Sequence, residues 1–120
     1  MKPTTSEMEI LQVLWEKKSC SVREVHESLN KKDVGYTTTL KLMQIMLEKG
    51  LVVRDSSSRS HIYTANITEE QTQTSFLDKM IDTVYHGSTS RLVMQALGHS
   101  NTSKEELAAI REYLETLEKS

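Results

Sequence analysis

The chain has 120 residues, of which 37% are hydrophobic and 27% are charged, and its formal net charge is -2. This length supplies one hydrophobic core or two small helical units that share an interface, and it is short for two independent globular domains. No apolar run approaches the roughly 18 residues of a membrane span and no signal peptide is visible, so the composition excludes a membrane protein and predicts a cytoplasmic one.

Capping boxes mark the starts of four predicted helices. In this motif a Ser or Thr side chain accepts a hydrogen bond from the backbone N–H three residues on. The Glu or Gln at that later position accepts one, through its side chain, from the backbone N–H of the Ser or Thr. The four pairs are Ser6 with Glu9, Ser21 with Glu24, Thr68 with Gln71, and Ser103 with Glu106. Apolar periodicity after the first two pairs predicts helices over residues 6–17 and 22–30.

A third helix is predicted over residues 37–49, after a polar turn that ends in Gly35. Its apolar residues recur at helical spacing and predict a face that packs on the first two helices. That face comprises Leu40, Leu42, Met43, Met46 and Leu47. The polar stripe comprises Thr37, Thr38, Lys41, Gln44 and Glu48.

This polar stripe has the chemistry of a DNA reader. In a helix-turn-helix protein, the N-terminal part of the second helix of the motif reaches base edges in the major groove. Threonine can contact a phosphate or a thymine methyl group, lysine a phosphate or guanine, and glutamine an adenine. We therefore expect Thr37, Thr38, Lys41 and Gln44 to contact DNA, with an ordinary solvated surface as the alternative.

A short β-hairpin is predicted immediately after this helix, over residues 51–65. Gly50 is typical of a C-terminal cap that needs a left-handed backbone, and two β-prone stretches follow it. The polar loop between them is too long for a tight turn, so its tip projects. Arg59 in the tip, with Arg54 and His61 at the strand ends, is expected to contact the sugar-phosphate backbone.

The distribution of charge along the chain agrees with this interpretation. Residues 1–67 carry ten Lys and Arg against eight Asp and Glu, whereas residues 68–120 carry five against nine. Affinity for nucleic acid depends on local phosphate contacts rather than on the overall charge. The first part can therefore face DNA more easily than the second, although chance alone could give so mild a difference.

Three further helices are predicted over residues 68–85, 88–97 and 103–117, each with a wide apolar stripe. The stripes comprise Phe76, Leu77, Met80, Ile81, Val84, Leu92, Val93, Leu107, Ile110, Leu114 and Leu117. Three short helices cannot bury so much apolar surface alone, and at about 25 cal/mol per Å2 its exposure would forgo several kcal/mol. We expect a homodimer interface here; the alternative is packing back on the winged helix within one chain.

These patterns predict a mainly α-helical protein with a small β-hairpin. Residues 1–67 are expected to form a winged helix-turn-helix DNA-binding domain, and residues 68–120 a three-helix dimerisation domain. Two-fold symmetry would make the DNA site a pseudo-palindrome.

No catalytic residue, metal site or cofactor is predicted. Cys20 has no second cysteine at metal-ligand spacing or for an internal disulfide, so we expect it to be a small buried apolar residue. His26 lies six residues away, but no third group suggests itself to orient a Cys–His pair. The four histidines are scattered, without the spacing of a zinc site. The protein is therefore not expected to be an enzyme.

Two runs of sequence carry a resemblance to a known family. Residues 36–65, which read YTTTLKLMQIMLEKGLVVRDSSSRSHIYTA, resemble the winged-helix repressors of the BlaI/MecI penicillinase-repressor family. Residues 6–29, which read SEMEILQVLWEKKSCSVREVHESL, resemble the first two helices of that family. The likeness continues to the C-terminus.

The resemblance implies a homodimer that binds a palindromic operator on double-stranded DNA and represses nearby genes, with a connection to antibiotic resistance. It also implies that Thr38, Thr39 and Lys41 lie in the recognition helix and that Arg59 and His61 lie in the wing. The spacing argument supports Thr38 and Lys41 independently and says nothing of Thr39.

Two departures from the family pattern concern regulation. Members that respond to β-lactams are cut by a partner protease at an Asn-Phe pair, and this chain has residues 94–97, Met-Gln-Ala-Leu, at the matching place. The resemblance therefore implies a regulatory protease as a partner, but residues 94–97 lack the Asn-Phe pair at which such a protease cuts. Copper-responsive relatives end in paired cysteines, whereas this chain ends Glu-Lys-Ser, which argues against copper sensing.

A protein-interaction module with the same winged-helix fold is the alternative function. Such a module would present an acidic or apolar third helix and would lack a basic wing. Lys41, Arg59 and the threonines favour DNA binding instead.

Overall fold

A computed structural model of the chain describes residues 3–120. Its elements, in chain order, are α1 (Thr5–Lys17), β1 (Ser19–Cys20), α2 (Val22–Leu29), α3 (Tyr36–Lys49), β2 (Val52–Asp55), β3 (Ile62–Ala65), α4 (Glu69–Thr83), α5 (Thr89–His99) and α6 (Lys104–Glu118). The predicted helices and the predicted hairpin are therefore present. The fold class predicted from the sequence, mainly α-helical with a winged helix-turn-helix, is confirmed.

The three strands form one antiparallel sheet in the order β1-β3-β2. Tyr63 in β3 lies opposite Arg54 of β2 on one side and opposite Cys20 of β1 on the other. The sequence did not predict β1, because two residues are too few to show an alternating pattern. These residues form a strand only because β3 offers them a partner.

One hydrophobic core holds the winged-helix part together. Its fully buried apolar side chains come from every element between α1 and β3, namely Ile10, Leu11, Leu14, Cys20, Val22, Val25, Met43, Met46, Leu51, Val52 and Tyr63. Trp15 packs against this core and donates its indole N–H to the carbonyl of Ile67 at 2.8 Å. Cys20 is buried, as predicted, and burial raises the pKa of its thiol, with a further contribution from the charge of Glu24.

The start of α1 differs from the sequence prediction. Thr4 caps the helix: its Oγ1 accepts a hydrogen bond from the backbone N–H of Glu7, and the Glu7 carboxylate accepts one from the N–H of Thr4. The predicted pair of Ser6 with Glu9 is therefore wrong, whereas the other three predicted capping boxes are confirmed. Glu7 is only 1% exposed and needs such partners, while Glu9 is half-buried and pairs with Lys31.

Glu7 also ties the start of α1 to the end of α3. Lys49, in the last turn of α3, donates to both carboxylate oxygens of Glu7 at 2.9 and 3.0 Å. Burial alone would raise the pKa of Glu7, but the hydrogen bonds from Lys49 and Thr4 and the charge of Lys49 outweigh it and hold the pKa below its usual value. The ionised carboxylate therefore stabilises the folded state.

Gly50 ends α3 and directs the chain into the wing. Its φ of 79° is in the left-handed region that favours glycine. Its N–H donates to the carbonyls of Leu47 and Met46, and the N–H of Leu51 donates to Met46 as well. The predicted cap is confirmed, and the turn places Leu51 and Val52 in the core at the start of β2.

The chain divides into two compact units, one ending at Leu77 and the other spanning Asp78–Ser120. The division falls inside α4, whose first part carries the fully buried Thr72; its hydroxyl donates to the carbonyl of Thr68. The domain boundary predicted from the sequence lies earlier, after residue 67. The second unit contains the end of α4, together with α5 and α6, and no residue of α5 or α6 is fully buried.

We expect Glu7→Gln to lower the free energy of unfolding by about 2 kcal/mol at neutral pH, because a hydrogen bond to a charged group is lost from a buried position. The lowered pKa of Glu7 means that its contribution is present above the usual pKa of 4.5 and is lost as the pH falls through the folded-state pKa. The difference between the variant and the parent should therefore shrink as the pH falls below 4.5. Urea unfolding followed by the fluorescence of the single tryptophan measures this.

Glu9→Gln is the matched control. The side chains of its pair, Lys31 and Glu9, are 40% and 44% exposed, so the loss should be within about 0.5 kcal/mol. Equal losses of unfolding free energy in the two variants would show that the buried Glu7 ion pair contributes no more to stability than the exposed Glu9 pair.

Candidate nucleic-acid interface

The four residues of α3 that spacing predicts as DNA contacts lie together on its exposed side: Thr37, Thr38, Lys41 and Gln44. They occupy the first three turns of the helix. The only carboxylate of α3 belongs to Glu48, in its last turn. The opposite side carries Met43 and Met46, both fully buried, so the predicted division of α3 into a packed face and a polar stripe agrees with the structure.

Thr39 does not belong to this exposed stripe. It is 1% exposed, and its Oγ1 lies 2.9 Å from Nδ1 of His26 in α2. The resemblance places Thr39 in the recognition helix; in the structure Thr39 lies in α3, but its side chain packs between α2 and α3 instead of facing outward. Thr39 therefore positions α3 against α2 and is not available for a direct contact with DNA in this structure.

Tyr36, the first residue of α3, joins a short chain of side-chain contacts with α2. Its ring meets the ring of His26 edge-on, with centroids 5.9 Å apart. On α2 the guanidinium carbon of Arg23 lies 5.1 Å from the centroid of the Tyr36 ring, the geometry of a cation–π contact. Together with the hydrogen bond between His26 and Thr39, these contacts fix the start of α3.

The predicted wing consists of β2, β3 and an exposed tip over residues 56–61. The tip is shaped by two local hydrogen bonds: the N–H of Ser57 donates to Asp55 at 2.9 Å, and the hydroxyl of Ser58 donates to the carbonyl of Ser60 at 2.6 Å. The bond from Ser57 lowers the pKa of Asp55. Arg59 is exposed in this tip.

The structure brings two of the three predicted wing residues close to α3. Arg59 and His61 line an open cleft of about 370 Å3 together with Tyr36 of α3 and Arg23 of α2. Arg54 does not line this cleft. It lies on β2 opposite Tyr63 and is exposed at the end of the sheet.

The apolar residues predicted to form a dimer interface are half-buried or exposed in the single chain. Seven are exposed, in ascending order Leu107, Val93, Met80, Leu77, Leu114 and Leu117 at 37–51%, and Val84 at 62%. Phe76, Ile81, Leu92 and Ile110 are half-buried. Two further exposed side chains of the second unit are not among the predicted residues: Met94 at 72% and Tyr113 at 62%.

Arg23 and Tyr36, which line the open cleft, were not predicted as site residues from the sequence. One signal could have found Arg23: it lies in the first turn of α2, where the helix dipole favours acidic residues, and a basic residue there suggests another role. Tyr36 gave no such signal, because an aromatic residue at the start of a helix is ordinary and its contact with Arg23 depends on the fold.

Among residues 3–120, no three His, Cys, Asp or Glu side chains come close enough to hold a metal ion. In the same range no helix is both long and apolar enough to cross a membrane.

Comparison with known proteins gives consistent matches. The sequence model of a family described as penicillinase repressor matches residues 3–116. The penicillinase repressor of Bacillus licheniformis is 28% identical over 115 residues, which cover 92% of this chain and 87% of that protein. The penicillinase repressor of Staphylococcus aureus is 24% identical over 115 residues, covering 95% of this chain and 91% of that protein.

A solved structure matches the N-terminal part. The DNA-binding domain of the repressor BlaI, determined in solution, is similar with a TM-score of 0.51 and 26% sequence identity. The match covers 93% of that domain and 59% of this chain.

We expect Thr39→Val to lower the free energy of unfolding by about 1 kcal/mol, because Nδ1 of His26 loses its hydrogen-bond partner while the shape of the side chain is kept. Urea unfolding followed by tryptophan fluorescence measures the change. Thr38→Val is the matched control: the same substitution at an exposed position should change stability by less than about 0.5 kcal/mol. Equal effects at the two positions would contradict a structural role for the Thr39 hydroxyl.

Proposed function

Since the chain belongs to the penicillinase repressor family, whose members are DNA-binding transcriptional repressors and not enzymes, we propose that it acts as a homodimer on a palindromic operator. In this proposal α3 enters the major groove, the wing follows the sugar-phosphate backbone, and the second unit pairs two protomers. Binding at the operator represses neighbouring genes. The observation that carries the proposal is the exposed polar stripe of α3 beside a basic wing.

The chemistry of α3 supports its role as the reading helix. Its first turns expose two threonines, a lysine and a glutamine, which can hydrogen-bond to base edges and phosphates. The N-terminal part of a recognition helix is the part that reaches the bases, and Glu48 lies in the last turn, away from that part. The residues of this stripe are all polar or charged and all exposed, with the half-buried Ile45 beside them, so their chemistry favours DNA over an apolar protein partner.

The wing supports contacts to the DNA backbone. Arg54, Arg59 and His61 are all exposed, and arginine suits phosphate because its guanidinium can donate two parallel hydrogen bonds. The positive balance of residues 1–67 and the negative balance of residues 68–120 favour the same orientation, with the winged helix toward DNA.

The second unit supports pairing of two chains. Its helices expose more large apolar side chains than a stable monomer normally leaves in water, and several are about half exposed. A second copy of the same helices would cover these stripes and would relate the two winged helices by a two-fold axis. Two-fold symmetry explains why the operator is expected to be a palindrome.

The first test is DNA binding. The purified protein should retard duplexes selected from a random pool at low salt, and Lys41→Ala should weaken binding at least about tenfold, because each protomer loses a contact worth about 1 kcal/mol. Lys104→Ala, which removes a positive charge at the start of α6, is the control and should bind like the parent. Failure of the parent to bind any duplex at low salt would contradict the proposed function.

The second test is the oligomeric state. Leu114→Glu places a charge in the apolar stripe of α6 and should convert the dimer to a monomer in sedimentation velocity, with loss of operator binding at concentrations that saturate the parent. Thr116→Glu adds the same charge on the other side of α6, away from the stripe, and should remain dimeric. A parent protein that sediments as a monomer at micromolar concentration would rule out the homodimer.

A further inference from the structure

We propose that the cleft between α2, α3 and the wing binds one phosphodiester group of the DNA backbone, with Arg23 as its main cationic ligand. This inference rests on the proposed function and adds Arg23 of α2, which belongs neither to the exposed stripe of α3 nor to the wing. The cleft has a volume of about 370 Å3 and is lined by polar side chains from three elements: Ser21, Arg23, Tyr36, Arg59, Ser60 and His61. We call it the cationic cleft.

The charge of the cationic cleft suits an anion. Two arginines, a histidine and four hydroxyl-bearing side chains line it beside the apolar Val22 and Leu40, and among the residues that the structure describes no Asp or Glu does. The nearest acidic residue in sequence, Glu24, does not line the cleft; its carboxylate accepts a hydrogen bond at 2.8 Å from the backbone N–H of Ser21, which does. Hydroxyl and guanidinium groups at close quarters are typical of phosphate sites.

Arg23 is held in place before any ligand arrives. Its guanidinium lies over the ring of Tyr36, and that ring is itself fixed by the edge-on contact with His26. Stacking uses the face of the guanidinium and leaves its N–H groups, which lie in the plane, able to donate hydrogen bonds. A preorganised arginine loses less conformational entropy when it binds, so the contact gains affinity.

The position of the cationic cleft points to a backbone phosphate. Tyr36 lines the cleft, and Thr37, the next residue of α3, begins the exposed stripe. Arg59 and His61 bring the wing to the cleft from the other side. A strand whose bases face α3 and whose backbone runs along the wing would pass between these two elements, where one phosphate can enter the cleft. Such a contact would fix the register of the protein on the duplex without reading its sequence.

The salt dependence of binding tests the proposal. The loss of one phosphate contact in each half-site should reduce the slope of log affinity against log salt by about 1.8 in Arg23→Ala, since each contact contributes about 0.9. Over an about fourfold rise in salt, the ratio of the two affinities should then change about tenfold. Arg23→Gln keeps most of the side-chain length and should give the same result, whereas Lys104→Ala should keep the parent slope.

The preference among DNA sequences supplies a second readout. Because a phosphate contact is blind to sequence, Arg23→Ala should weaken binding to the selected duplex and to an unrelated duplex by the same factor. A slope equal to that of the parent in both Arg23 variants would overturn the phosphate site. The proposed function would survive that result as long as Lys41→Ala still weakens binding, so the two failures are distinguishable.

Substituted duplexes locate the phosphate. A set of duplexes is made in which one phosphate per half-site, at a different position in each, is replaced by a neutral methylphosphonate. At the position that Arg23 contacts, the replacement should lower the affinity of the parent but should not lower the affinity of Arg23→Ala further. Equal losses for the parent and the variant at every position would contradict the assignment of Arg23. Unchanged thermal unfolding of the variant, measured by tryptophan fluorescence, shows that the comparison is between folded proteins.

Discussion

The rotation of α3 about its own axis determines what the winged-helix unit can present, and three buried side chains fix that rotation. Thr39, Met43 and Met46 recur at spacings of four and three, and each is at most 1% exposed. Residues at these spacings share one face of a helix, so their burial turns Thr37 and Lys41 outward together. The exposed stripe is thus a consequence of how the core packs. A change in the core that rotated α3 would alter the exposed stripe without touching any of its residues.

Both ends of α3 are constrained separately. At the C-terminal end, Lys49 is held by the buried carboxylate of Glu7, and Gly50 turns the chain directly into β2. At the N-terminal end, Tyr36 packs against His26 of α2. Because the wing follows the C-terminal constraint after a single residue, the same turn that ends α3 also sets where the wing begins. The stripe and the wing therefore keep a fixed relation, which a surface that contacts both a groove and its flanking backbone requires.

Much of this architecture could be predicted from sequence, because it follows from local rules. The capping boxes, the helical periodicity and Gly50 each act within a few residues of chain, and they gave the helices and the hairpin. The parts that sequence could not give depend on contacts between distant segments. Thr4 rather than Ser6 caps α1, because the buried Glu7 pairs with it. The two residues of β1 form a strand because they pair with β3, and Thr39 is buried because α2 packs against α3. Similarity assigned Thr39 to the right helix, but only packing shows which way its side chain faces.

Under the proposed function, each protomer makes few contacts to base edges, so the affinity for the operator depends on dimerisation. One α3 offers few side chains to base edges, and each good base contact is worth only about 1–3 kcal/mol. A half-site alone is therefore held weakly, with much of its affinity in phosphate contacts that do not discriminate between sequences. Joining two readers makes the second binding event intramolecular and raises the affinity through effective concentration. The exposed apolar helices of the second unit thus control operator occupancy, and a signal that loosened them would release DNA while leaving α3 and the cationic cleft intact.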